Sequence, residues 1–209
     1  MVKPLPGSLT IFHFKPTSKN FPNPADNPLS LAGGSFVPYF KNHKIMETTV
    51  EKTATAAFVS PQDLLAHWLG HRGLTRRVIA AFPEKELFEF SIGGMRPFSA
   101  MVQELLAIGA PGLREIVTGS AEKLNEDIAE ANSQENILRL WDAATEEITQ
   151  LWAKISAERF NEKIKTFGMY EGTIWSSIMY FIDNEIHHRA QGYVYLRALG
   201  IEPPYFWQR

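Results

Sequence analysis

The stretch TIWSSIMYFIDNEIHHRAQGYVYLRALG, residues 173–200, decides the fold. At about 100° per residue, Ile174, Ile178, Phe181, Gly192, Tyr195, Leu196 and Leu199 gather on one face, which predicts a helix of about 27 residues, Thr173 to Leu199. Gly200 follows as a C-terminal stop, with Pro203 and Pro204 beyond. Glu185 and His188 fall on that same apolar face, and Asn184 lies at its edge one turn before His188. An i, i+4 pair such as Asn184 and His188 converges on one point, as in helices that bind metals. Asp183 and His187 point nearly the opposite way. His188 is therefore expected inside, and His187 toward solvent, a loop or a partner subunit.

Three further helices are readable outward from this one. Ser60-Pro61-Gln62-Asp63 combines an N-cap serine, a proline at the first helical position and a first-turn acid, so a helix is predicted from there to Phe82, where Pro83 ends it. A second spans Pro97 to Thr118 with Pro111 inside it, and a third Ser133 to Ser156 along the seam Ile137, Trp141, Ala144, Ile148, Leu151, Trp152 and Ile155. The Gly pair of Ser91 to Arg96 marks a tight turn without phosphate-loop spacing, and the segment with Gly168 and Gly172 reads as a loop. Four long amphipathic helices without strong alternating runs predict an all-α, antiparallel four-helix bundle over residues 58–209. Residues 1–57 read as an irregular wrapping arm, since seven prolines between Pro4 and Pro38 interrupt every candidate element while Phe12, Phe14, Phe21, Phe36, Tyr39 and Phe40 supply apolar anchors.

Composition narrows the function. The 209 residues carry a formal charge of −2 with both signs interspersed, which gives no electrostatic reason to bind nucleic acid or an acidic membrane. No run approaches the ~20 apolar residues of a membrane span, and Met1 to Phe14 lacks a signal-peptide layout, so a cytoplasmic location is expected. With no cysteine, thiolate ligands, disulfides and a cysteine nucleophile are excluded. Any metal must rest on histidine, carboxylate, amide or water.

A carboxylate and an imidazole among core aromatics need partners, because burying them unpaired costs several kcal/mol. A divalent ion satisfies that need, and so does a hydrogen-bonded network such as Glu185 with Arg189 or His71. His67 and His71 on the first helix are also spaced i, i+4, with Trp68 where a zinc-protease motif has glutamate. His71 reads either as a ligand or supporting group, or as an ordinary packed histidine. Glu104 is the acidic residue near the middle of the second long helix, bordering its apolar face; an exposed glutamate is the alternative.

Asn184-Glu185-Ile186-His187-His188-Arg189-Ala190-Gln191-Gly192, with Tyr195-Leu196-Arg197 and Gly200-Ile201 after it, resembles the HxxxHRGQ segment of the DinB/YfiT-like family. Leu64-Leu65-Ala66-His67-Trp68 and Gly94-Met95-Arg96-Pro97-Phe98 extend the likeness over roughly residues 60–206. The resemblance implies a four-helix bundle, frequently a homodimer, that holds zinc or nickel through one residue of the second long helix and an i, i+4 pair on the last. Carried over, His188 matches the last ligand, Asn184 stands at the first position of the pair, and Glu104 falls where that second helix usually offers histidine. Two of the three positions thus depart from an all-histidine set, and a neutral amide binds zinc weakly. Glu185 is a candidate to replace Asn184 as ligand, to orient His188, or to act as general base, a role equally open to Glu104.

Family likeness further implies a thiol-dependent transferase or a hydrolase, using a low-molecular-weight thiol or a metal-activated water on a small-molecule substrate. Trp68, Trp175, Phe181 and Tyr195 are expected to wall the cavity, with His67 and His71 nearby. A non-catalytic metal- or ligand-binding dimer, and a purely structural dimer whose inward polar groups fix helix register, stand as alternatives.

Overall fold

A computed structural model describes residues 59–209. The arm expected over residues 1–57 lies outside the described residues. Four long helices, α1 (Pro61–Ala81), α3 (Phe98–Thr118), α4 (Gln134–Trp152) and α5 (Ile174–Ala198), form the bundle, with a short α2 (Glu84–Glu89) after α1. α1 and α3 each pack against both α4 and α5.

Local chemistry sets the helix ends. Ser60 and Asp63 form a reciprocal capping box ahead of Pro61, and Thr173 and Ser176 do the same for α5. Gly200 takes the left-handed conformation (φ 76°) that lets Ile201 N–H reach back to the Leu196 carbonyl at 2.8 Å. The Gln134 amide at the start of α4 donates to the Ile79 and Phe82 carbonyls (2.9 and 2.6 Å), tying the open end of α1 to its neighbour. Pro111 is accommodated inside α3. The third predicted helix ends four residues early, at Trp152, as the chain tightens into a 3₁₀ turn at Ala157–Asn161.

One departure from the expected fold matters for function. The segment read as a loop is an antiparallel hairpin, β1 (Lys163–Thr166) and β2 (Tyr170–Thr173), in the register Lys163 opposite Thr173 and Thr166 opposite Tyr170. Its three-residue tip, Phe167 to Met169, is closed by the Met169 N–H on the Thr166 carbonyl at 3.1 Å, and the two central residues of that turn, Phe167 and Gly168, both have positive φ (53° and 66°). That is the geometry a tight hairpin demands, normally met by Asn-Gly.

Apolar packing falls into two clusters. Trp68, Leu113, Ile148, Trp152, Ile178 and Phe181 make one, and Val78, Phe98, Met101, Ile137, Trp141 and Tyr195 the other. Between them runs a polar belt of Arg72, Thr75, Glu185 and Arg189, all buried. Two glycines bring α3 and α5 close: a Cβ on Gly112 would lie 2.5 Å from the Phe181 ring, and one on Gly192 2.6 Å from Phe98. The two helices that carry the site are thereby held against each other by rings seated on bare backbone.

Candidate functional site

His188 and Asn184 lie one turn apart on α5 and face Glu104 on α3. Glu104 Oε1 is 3.0 Å from His188 Nε2 and accepts a hydrogen bond from the Asn184 amide at 3.1 Å. Its other oxygen takes the guanidinium of Arg96, which also donates to Glu126 at 3.1 Å. Burial pushes the Glu104 carboxyl up, but hydrogen bonds from His188, Arg96 and Asn184 outweigh it and take the group down to about 2. Behind the first layer, Tyr195 O–H donates to the Arg96 carbonyl at 2.9 Å and holds the arginine's backbone.

Each ring nitrogen of His188 has a polar neighbour: Nδ1 lies 2.7 Å from the Gln191 side-chain oxygen and Nε2 3.0 Å from Glu104 Oε1. With Nε2–H donating to the carboxylate and the Gln191 amide turned to donate to Nδ1, the network closes within the protein; with Nδ1–H donating to Gln191, the Nε2 lone pair is left for a cation.

Whether these residues suit a divalent ion follows from the same donors. Glu104 and His188 are competent ligands, and Asn184 offers an amide oxygen once its side chain rotates. Among the described residues, no third His, Cys, Asp or Glu joins a ligand cluster. The set therefore fits an exchangeable, partly hydrated ion and does not fit a tightly held three-histidine zinc centre. Arg96 adds a fixed positive charge on the carboxylate, which weakens the pull on any second cation.

The other candidate residues separate from this cluster. Glu185, expected as a ligand or general base, is sealed away: it accepts hydrogen bonds from Trp68 Nε1 (3.2 Å) and Thr75 Oγ1 (2.7 Å), with the guanidinium groups of Arg72 and Arg189 at 3.9 and 3.8 Å. It is 2% exposed, and burial raises its carboxyl despite both arginines. A carboxylate with four partners and no path to a cavity is a structural clamp between α5 and α1, and this corrects the catalytic assignment. Of the two alternatives for His71, packing prevails. Its Nδ1 accepts from Arg189 at 2.9 Å, its Nε2 is 3.1 Å from His67, and burial, followed by the charges of Arg189, His67 and Arg209, holds it down to about 3. His67 is exposed on the same outer turn of α1. Trp68 holds Glu185 rather than walling a cavity, Trp175 is 39% exposed, and Tyr195 acts through Arg96; of the four expected wall residues only Phe181 lines one.

The cavity walls come instead from the hairpin together with α3, α5 and the segment between α3 and α4. A cavity of about 110 Å³ is lined by Glu104, Glu126, Ile108, Leu124, Phe167, Tyr170 and Tyr180. A second, of about 210 Å³, shares Phe167, Tyr170 and Tyr180 and reaches Phe181, Thr166 and Ser177. Sequence reasoning missed Arg96, Glu126, Gln191 and these hairpin aromatics. Gln191 alone had a readable signal, at i+3 from His188.

These elements define a class of helical bundle with a histidine–carboxylate cluster between its second long helix and its last. Residues 46–208 match the family model described as DinB family. The chain belongs to that family. Among solved structures, it is similar to a DinB-like protein from Bacillus cereus (15% identity, TM-score 0.58, 70% of this chain and 97% of that one). A DinB-like protein from Bacillus subtilis is similar to the same extent (18% identity, TM-score 0.53, 70% and 99%). At these identities the likeness carries the fold. No curated protein matches. No helix among the described residues is long and apolar enough to cross a membrane.

Proposed function

We propose that this DinB-family bundle is a metal-assisted enzyme acting on a small molecule, by transfer from a low-molecular-weight thiol or by hydrolysis, with its chemistry at Glu104 and His188. One observation carries the reading: His188 Nε2 and Glu104 Oε1 meet 3.0 Å apart, with the Asn184 amide beside them and Glu104 in the wall of a cavity. Glu104 and His188, with the Asn184 amide turned inward, would hold a zinc or nickel ion, which would lend acidity to a water or thiol there. Gln191 fixes the ring of His188, and Arg96 with Tyr195 behind it fixes Glu104, so both groups are aimed before any ligand arrives. Phe167, Tyr170 and Tyr180 form the apolar wall that limits water beside them.

A second reading has its own support in the ion pair of Arg96 with Glu104. With the ring hydrogen of His188 on Nε2, donating to Glu104, the same residues form a metal-free network in a non-catalytic ligand-binding bundle. Titration calorimetry of tag-free protein with zinc and with nickel separates the two. The first requires a single site that disappears in both Glu104→Ala and His188→Ala, with helical circular dichroism retained; absence of a site in the wild type refutes it.

A further inference from the structure

Phe167 is the sole non-glycine residue with positive φ (53°) among the described residues, and it stands where asparagine or glycine would turn the chain at less cost. The conformation is enforced: its N–H donates to the buried carboxylate of Glu115 at 2.9 Å. What the strained position achieves is to place the ring, 8% exposed, in the common wall of both cavities, 6.4 Å from Phe181. Tyr170 and Tyr180, stacked at 6.1 Å, form the remainder of that wall.

Three features define the occupant. An apolar cavity of ~150 Å³ takes a benzene ring, so about 210 Å³ takes an aryl group with a substituent. At its back, the hydroxyls of Thr166 and Ser177 lie 3.0 Å apart and buried; the pair has two O–H groups, and only one points along the bond between them. The other is free to donate to an oxygen acceptor on a ligand. Finally, the charged side chains lining the two cavities are glutamates, Glu104, Glu126 and Glu171, whose cationic partners Arg96 and Lys165 stand outside the lining. An anionic substituent would be desolvated there with no lining cation to pair with.

We propose that the hairpin cavity is the recognition subsite for an uncharged aromatic compound bearing an oxygen acceptor, with an aryl ketone as its simplest member, and that Phe167 is its specificity-determining residue. This rests on the reading above only in taking the bound compound to be the molecule handled at Glu104 and His188. Occupancy is read without metal, so either reading can fail alone.

The test uses full-length protein in EDTA, with fluorine NMR of three probes: 4-fluoroacetophenone, 4-fluorotoluene and 4-fluorobenzoate. The ketone is expected to bind at least tenfold more tightly than the benzoate. Phe167→Gly suits the turn, so it should keep the helical spectrum while weakening ketone binding at least tenfold. Ser177→Ala should weaken the ketone about fivefold and leave 4-fluorotoluene unchanged, an outcome general loosening would not give. Absence of ketone binding at millimolar concentration, benzoate binding equal to the ketone, or undiminished binding by Phe167→Gly each overturns the proposal.

Discussion

Glu185→Gln separates a structural clamp from a catalytic acid. The substitution keeps side-chain shape and one hydrogen-bonding oxygen, so its main effect is to leave Arg72 and Arg189, 1% and 6% exposed, without their counter-charge. Removing one partner of a buried ion pair costs about 3–5 kcal/mol. Here the lower end applies. Arg72 retains the Trp141 carbonyl (3.0 Å), Thr145 Oγ1 (2.9 Å) and the Trp141 ring, whose centroid is 3.5 Å away; Arg189 retains His71 Nδ1 and Thr75 Oγ1. About 3 kcal/mol converts, at ~2–4 °C per kcal/mol for a domain of this size, to a melting point about 6–12 °C lower. Urea denaturation should show the same loss with an unchanged m-value. Below its melting point the variant should still bind whatever cation or aryl probe the wild type binds. If Glu185→Gln melts within 2 °C of the wild type but loses that binding, the clamp assignment is wrong and Glu185 belongs to the site.

Three other outcomes follow from the same geometry. His71 stays neutral in the fold down to about pH 3, whereas in the unfolded chain it titrates near 6.5, so its contribution is complete above 6.5 and declines as the pH falls toward 3. At 1.36 kcal/mol per unit this amounts to about 2 kcal/mol between pH 7 and 5, and His71→Gln should flatten the stability profile by that amount in urea titrations at the two pH values. Gly112→Ala puts a Cβ 2.5 Å from the Phe181 ring; overpacking of about 1–3 kcal/mol should exceed the ~1 kcal/mol gained in helix propensity, and calorimetry showing a stabilised variant would mean the ring yields freely. Arg96→Met removes the positive charge on Glu104 and should tighten zinc or nickel binding about tenfold or more by titration, whereas unchanged affinity would show that Arg96 does not compete for the carboxylate.

How far the sequence could be read depended on which physical signal each element carries. α5 is predicted to within a residue at each end because period and terminal glycine agree, and Thr173 caps it where the period begins. The meeting of Glu104, Asn184 and His188 was legible by likeness to a family and by angle along the helix. Glu185 was misassigned because an angle distinguishes inside from outside and does not say which neighbour is met. Glu185 and His188 are 60° apart on the same apolar face, enough to send one toward Thr75 on α1 and the other toward Glu104 on α3. The hairpin escaped because its strands are four residues each, too short to show alternation, and its turn hides under a phenylalanine. Arg96 escaped because its role depends on where α3 starts relative to α5, a tertiary fact with no local trace.

These two neighbouring ladders on α5 differ in accessibility, and the difference assigns their work. Glu185 and Arg189, at i and i+4, are fully partnered, and a satisfied buried network of this kind fixes one helix rotation against α1. Asn184 and His188, offset by one residue, inherit that rotation and meet Glu104, which lines a cavity. A carboxylate held in place by its neighbours at a cavity wall is accessible to a ligand, whereas one sealed among four partners is spent on structure. The bundle thus places its stability on the α1 side of α5 and its accessible groups on the α3 side, so damage to the clamp should reach the site only through melting, and substitutions at Glu104 or His188 should leave the clamp intact.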